Sequence, residues 1–198
     1  LNTPKNSLYP GKIRIIGGQW RGRFIKVLNR VSLRPTPDRV RETLFNWLAP
    51  KIVDARCLDC FAGTGILSFE ALSRGAQHAT LLDTDRMSIE ALKNSRSMLG
   101  IAPQLCDIIQ QDAVLWLKHQ GHIKQVNPYD IIFLDAPFAS ELLMQTLILL
   151  ENTSLLSPAG WVYVEMSVES NALLLPGWRV LKSKQAAKVV YQLLAKEY

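Results

Sequence analysis

The first quarter of the chain carries three short patterns of apolar and polar positions. Lys12 to Gly18 and Arg23 to Leu28 read as two strands around Gln19-Trp20-Arg21-Gly22, which predicts a basic β-hairpin. Residues 1–10, with two prolines and two asparagines, show no periodicity and read as a lead-in. Arg34 to Glu42 holds a helix start: Thr36 can cap, Pro37 can take the first helical position, and Asp38 suits the positive end of the dipole. Val40, Leu44, Phe45 and Leu48 then recur at helical spacing, so the helix extends to about Leu48. Arg39 and Arg41 fall off that stripe and are expected to face a partner.

From Ala55 onward apolar runs alternate with amphipathic segments. Strands are expected near Cys57, Leu81, Ile108, Ile132 and Val162, with helices starting near Thr64, Arg86, Ala113 and Ala139, the βαβ rhythm of a parallel sheet. Trp178 to Ser183 and Val189 to Ala195 break the rhythm, because only a turn at about Lys184 to Ala187 joins them. The predicted fold class is α/β: a Rossmann-like, doubly wound, mostly parallel seven-stranded sheet with an antiparallel C-terminal hairpin. A basic N-terminal β-hairpin and helix precede it. We divide the chain into an extension over 1–50, treated as an appendage, and a sheet domain over 51–198.

Charge sharpens this division. The net charge is +6 over 198 residues, yet residues 1–50 alone hold 10 Lys or Arg against 2 acidic residues. The remaining 148 residues hold 13 basic and 15 acidic side chains, so the excess belongs to the N-terminal quarter. A polyanion is the partner such a segment fits. No stretch approaches the roughly 18 apolar residues of a membrane span, and the start shows no basic-then-apolar leader, so a soluble cytoplasmic protein is expected. The cysteines, Cys57, Cys60 and Cys106, are too few and too apolar in setting for a disulfide framework or a zinc site, and read as core side chains. His78, His119 and His122 show no ligand spacing, and no metal is expected.

The first sheet strand runs into Asp59-Cys60-Phe61-Ala62-Gly63-Thr64-Gly65, a glycine turn that opens a helix and brings backbone N–H groups close to a ligand. A dinucleotide fingerprint would have Gly or Ala where Ser68 stands, and Asp59 would repel a phosphate but can accept from an ammonium group. That combination favours the methionine moiety of S-adenosylmethionine (SAM). Asp83 closes the second strand, where a carboxylate can accept from ribose hydroxyls. Asp112 follows the third, where it can meet an adenine amine or cap the next helix.

The fourth strand ends in Asp135-Ala136-Pro137-Phe138. With the glycine turn, Asp83 and Asp112, this order resembles class I SAM-dependent methyltransferases that modify exocyclic amines, whose tetrapeptide runs Asp or Asn, Pro, Pro, then Tyr or Phe. Arg14-Ile15-Ile16-Gly17-Gly18, Arg21-Gly22-Arg23 and Arg34-Pro35-Thr36 through Arg41-Glu42-Thr43-Leu44-Phe45-Asn46 narrow the likeness. Over nearly its whole length the chain resembles the RsmD family of bacterial 16S ribosomal RNA guanine-N2 methyltransferases. The resemblance implies methylation of guanine 966 of 16S ribosomal RNA, within the small ribosomal subunit or an assembly intermediate, by a monomeric enzyme. Asp135 and the carbonyl of Ala136 would then accept from the amine, Pro137 would complete the loop, and Phe138 would stack on the base. Phe61, Ala62, Gly63, Thr64 and Gly65 would line the cofactor site with Asp59, Asp83 and Asp112. The RNA-binding candidates are Arg14, Arg21, Arg23, Arg34, Arg39 and Arg41.

Ala136 departs from the pattern: its carbonyl remains, but the rigidity of a proline does not. Three other readings stay open. They are an amine methyltransferase acting on DNA adenine or on a glutamine side chain, a catalytically silent SAM-binding RNA assembly factor, and a nicotinamide-dependent oxidoreductase, against which Ser68 and the terminal hairpin both count.

Overall fold

The computed structural model describes residues 11–27, 36–121, 127–137, 141–170 and 177–197. Strands β1 (Lys12–Arg14) and β2 (Phe24–Lys26) pair antiparallel as a small separate ribbon, shorter than the sequence pattern predicts. Helix α1 spans Asp38–Leu48. The chain then alternates β3 (Arg56–Asp59), α2 (Ile66–Ser73), β4 (His78–Asp83), α3 (Arg86–Leu99), β5 (Cys106–Gln110), α4 (Ala113–Gly121), β6 (Tyr129–Leu134), α5 (Leu142–Glu151) and β7 (Leu156–Ser167). Strands β8 (Trp178–Ala186) and β9 (Val189–Lys196) complete a seven-stranded sheet in the order β5-β4-β3-β6-β7-β9-β8. β3 to β7 are parallel, and β9 inserts antiparallel between β7 and β8. This is the predicted doubly wound architecture with its antiparallel hairpin at one edge.

Two consecutive residues of each central strand serve opposite layers, as pleating requires. Cys57, Leu81, Ile131, Phe133 and Tyr163 pack under α1, α2 and α3, whereas Leu58, Leu82, Ile132, Leu134 and Val164 pack under α4 and α5. Burial on both faces explains why these strands read as continuous apolar runs. Cys57 and Cys60 lie in different layers, so they do not share a site, and burial raises both thiols.

The N-terminal elements share the first of these cores. Ile13, Ile15, Ile25, Val40, Leu44, Phe45 and Leu48 belong to the cluster that includes Phe133 and Tyr191. Phe45 meets Phe133 at 6.3 Å between ring centroids, and Trp47 meets Tyr191 at 5.5 Å. The segment expected as an appendage is therefore continuous with the sheet domain, because its apolar stripe has no other surface to cover. The loop after β1 is bolted to the end of α2: Gln19 N–H donates to the Ser73 carbonyl at 2.7 Å and Trp20 N–H to Ser73 Oγ at 2.9 Å. Gly18, at φ 76°, leaves no room for a side chain, since a Cβ would lie 1.8 Å from the Ser73 carbonyl oxygen.

Two helix starts differ from expectation. Pro37 occupies the cap position of α1 and no side chain caps it. The Thr36 hydroxyl instead faces Glu165 and Asp135, across the sheet end. α2 begins at Ile66 rather than Thr64, because Gly65 takes a left-handed conformation at φ 74° to turn the chain. Among the described residues, no helix is long and apolar enough to cross a membrane.

Candidate active site

In an open α/β sheet, ligands bind beyond the carboxyl ends of the strands, where strand order reverses. Here the reversal falls between β3 and β6, and the residues beyond it are the glycine turn and Asp135. The turn is stitched to both neighbouring strands: Cys60 N–H donates to the Phe133 carbonyl at 3.1 Å and Ala62 N–H to the Leu82 carbonyl at 2.9 Å. Gly63 N–H donates to Asp83 Oδ2 at 2.9 Å, so the carboxylate closing β4 also holds the glycine turn. Asp85 N–H donates to Asp83 Oδ1 at 2.8 Å. A Cβ on Gly65 would stand 2.5 Å from Leu92 and 2.7 Å from Phe69, so glycine is what lets α2 sit this close to α3 and the sheet. Phe61 is half-buried and Thr64 Oγ1 accepts from Ile66 N–H at 3.3 Å.

Asp59, the last residue of β3, is enclosed by protein. It is 2% exposed and accepts from Ser68 Oγ at 2.9 Å. Burial, aided by the charge of Asp83, pushes its carboxyl up to about 7, against the lowering effect of Ser68 and the Phe61 N–H. These bonds tie Asp59 to the first turn of α2 and to the glycine turn. Asp112 accepts from Leu115 N–H at 2.9 Å, so it does cap α4.

Asp135 and Ala136 follow directly on β6, and Pro137 is exposed; Phe138 lies outside the described residues. Ala136 is buried against the α4–α5 layer. Behind Asp135 lies a group the sequence reading missed. Thr36 Oγ1 stands 3.0 Å from Glu165 Oε1 and 3.4 Å from Asp135 Oδ2, and the Tyr163 hydroxyl donates to Glu165 Oε1 at 2.7 Å. Thr36, Tyr163 and Glu165 are all buried. Enclosure by protein, then the charges of Glu165 and Asp59, raise the Asp135 carboxyl well above the ordinary carboxylate range. Burial likewise raises Glu165, against the hydroxyls of Tyr163 and Thr36. A single acidic residue in the apolar run Trp161-Val162-Tyr163-Val164-Glu165-Met166 was the available signal.

The predicted RNA-binding arginines separate into two groups. Arg14, Arg21, Arg23 and Arg39 are exposed, although Arg14 lies 3.7 Å from Asp38 and Arg23 donates to the Met98 and Leu99 carbonyls at the end of α3. Arg34 lies outside the described residues. Arg41 is corrected: it is fully buried, donates to Asp38 Oδ1 at 2.6 Å and to the Arg14 carbonyl at 2.9 Å, and faces Glu70 Oε2 at 3.5 Å. A guanidinium so enclosed cannot reach a phosphate. Glu70 itself escaped the sequence reading, yet its carboxylate accepts from the Ile16 and Gly17 N–H groups at 2.7 and 2.8 Å and from Arg74 Nε at 2.8 Å. Its signal was a lone charge in the apolar helix Ile66–Ser73.

Among the described residues, no group of three or more His, Cys, Asp or Glu could hold a metal ion. The site presents carboxylate and carbonyl acceptors beside a glycine turn. Such acceptors suit a donor-rich, weakly nucleophilic group such as an amine.

Comparison with known proteins agrees in both sequence and shape. Residues 13–195 match the model of the family described as conserved hypothetical protein 95. Ribosomal RNA small subunit methyltransferase D of Escherichia coli K12 is 46% identical over 189 residues, covering 94% of this chain and 91% of that protein. The protein of the same name from Haemophilus influenzae is 41% identical, covering 92% of this chain and 93% of its own length. The solved structure of Escherichia coli yhhF superposes with a TM-score of 0.81 at 43% identity, covering 94% of this chain and 99% of that one. With a family match along nearly its whole length, and these identities over more than nine-tenths of it, the chain belongs to the family of the ribosomal RNA small subunit methyltransferases D.

Proposed function

We propose that this protein transfers a methyl group from SAM to the exocyclic N2 amine of a guanine in 16S ribosomal RNA, in the small ribosomal subunit or an assembly intermediate in the cytoplasm. The observation that carries the reading is Asp135. It is a carboxylate at the end of β6, with the Ala136 carbonyl next to it, one strand from a glycine turn that Asp83 holds in shape. The names of the relatives support ribosomal RNA of the small subunit as the substrate.

The residues fit SAM in a definite way. The Gly63 to Gly65 backbone, bent through positive φ at both glycines, leaves a close approach to the turn. Asp83 meets two backbone donors, and carboxylate oxygens can each accept more than one hydrogen bond, which suits a ribose diol. When bound, SAM supplies a methyl group on a positively charged sulfur that leaves as a neutral thioether.

The chain's own residues supply orientation and charge. A guanine amine delocalises its lone pair into the ring, and acceptors at its hydrogens return electron density to nitrogen. Asp135 Oδ and the Ala136 carbonyl are those acceptors, and Asp135 takes the proton that N2 sheds as its bond to carbon forms. Phe138 is the candidate to stack on a base brought out of its helix. The exposed Arg14, Arg21, Arg23 and Arg39, with Arg34, would hold the RNA backbone, giving residues 1–50 their role.

The test is to identify the product. Small subunits from a strain lacking this activity are incubated with labelled SAM, and the nucleosides are separated. N2-methylguanosine is the expected product. Methyladenosine, or label appearing in DNA alone, would move the substrate elsewhere, and SAM and subunit binding without any transfer would identify an assembly factor.

A further inference from the structure

We infer that Glu165, acting through the Thr36 hydroxyl, is the positioning residue that orients and electrostatically tunes the Asp135 carboxylate, an inference that rests on the amine-methylation reading of this site. The placement is set by the sheet. Leu134 pairs with Val164, so Asp135 and Glu165 are the next residues along two adjacent strands, at the end where the glycine turn lies. Glu165 pairs in turn with Tyr191 of β9, and the cluster is roofed by α1.

A carboxylate 6% exposed normally demands a cation. Among the described residues, the ion pairs involve Asp38, Glu70, Glu90 and Asp107, not Glu165. Its donors are neutral: Tyr163 at 2.7 Å and Thr36 at 3.0 Å. The titratable groups around the pair are Asp135 just after β6, with Asp59 of β3 acting on it, Tyr163 on the strand of Glu165, and Tyr191 from β9. Arg41 of α1 is spent on Asp38 and Glu70, and it donates through Nε to the Thr36 carbonyl at 3.3 Å. Arg41 thus fixes the residue whose hydroxyl bridges the two carboxyls. Lys184, in register with Tyr191 on β8, is exposed.

One hydroxyl proton shared between two carboxylates serves them unequally. The shorter contact gives Glu165 the stronger bond from Thr36, leaving Asp135 with the weaker, longer one and with a like charge behind it. Glu165 therefore opposes ionisation of Asp135, which agrees with the raised carboxyl there. The consequence is a carboxylate that holds a proton more tightly than an ordinary one, which suits it to take the amine proton as the bond from N2 to carbon forms.

The experiment is the pH profile of single-turnover methyl transfer to unmodified small subunits, for the wild-type protein, Glu165→Gln, Thr36→Val and Thr36→Ser. Gln keeps an oxygen to accept from Tyr163 and Thr36, removes the charge, and puts an NH2 donor in place of the second oxygen. We expect the acid limb of Glu165→Gln to move down by about one pH unit, with SAM affinity unchanged. Thr36→Val is expected to lose about tenfold in rate, and Thr36→Ser to recover it. An acid limb at the wild-type pH in Glu165→Gln overturns the inference, and so does a Thr36→Val protein as fast as wild type. Should Glu165→Gln fail to fold, the Thr36 pair decides alone. Product formed by the wild-type protein is the control that separates the two ideas: its absence contradicts the proposed function, whereas product without these shifts contradicts only the role of Glu165.

Discussion

Arg41 and Glu70, both fully enclosed, face each other where α1 meets α2, with Nη1 3.5 Å from Oε2. Around this pair the N-terminal segment is assembled. Glu70 receives the backbone of Ile16 and Gly17, and Arg41 grips Asp38, the Arg14 carbonyl and the Thr36 carbonyl. A buried pair of this kind adds little net stability, but removing one partner leaves a charge stranded.

Arg41→Ala should therefore cost about 3–5 kcal/mol of folding stability, read by urea denaturation. Subunit binding by the folded fraction should keep the wild-type salt dependence, since Arg41 meets no phosphate. A loss below about 0.5 kcal/mol, the range of ordinary surface changes, would contradict the arrangement.

The exposed arginines should behave in the opposite way. Arg14→Glu, Arg21→Glu and Arg39→Glu are expected to leave the melting temperature nearly unchanged and to weaken subunit binding. Each should also reduce the slope of log affinity against log salt by about one for every phosphate that is no longer neutralised. Binding isotherms at three or more salt concentrations would show this, and unchanged slopes in all three variants would remove the N-terminal segment from the RNA interface.

Asp59 makes stability depend on pH with a defined sign. Its folded carboxyl titrates near 7, above its value in the unfolded chain, so the folded state binds that proton more tightly. The stability so conferred is complete below about pH 4 and is lost as pH rises through about 7. Asp59→Asn, which cannot ionise, should gain stability relative to wild type across that window, by at most about 4 kcal/mol. Paired denaturation curves at pH 4, 5.5 and 7.5 test this, and a difference independent of pH would contradict it.

Asp83→Ala removes the acceptor that holds Gly63 and that suits the ribose. SAM affinity, measured by calorimetry, should fall about tenfold or more. An unchanged affinity would move the cofactor away from the end of β4.

The sheet was legible because periodicity of apolar residues reports burial directly: the runs at Cys57, Leu81, Ile132 and Val162 are strands covered on both faces. The glycine turn and Asp135 were legible because residue types at a strand end have few alternative meanings. What escaped was pairing across the chain. Nothing near Arg41 in sequence announces Glu70, 29 residues on, and nothing near Thr36 announces Glu165, 129 residues on. Arg41 stands at helical spacing with Leu44, Phe45 and Leu48 and is buried with them; its charge, not its position, led the sequence reading to set it off the stripe. The lone carboxylates in apolar segments, Glu70 and Glu165, were the legible trace of those contacts.

The central claim is that Asp135 accepts from the amine while the glycine turn holds SAM separately. Its most direct test measures methyl transfer and SAM affinity together in Asp135→Asn and Asp135→Ala. The account predicts a rate loss of about 100-fold or more with SAM affinity within about threefold of wild type. Wild-type transfer rates in Asp135→Ala would contradict it.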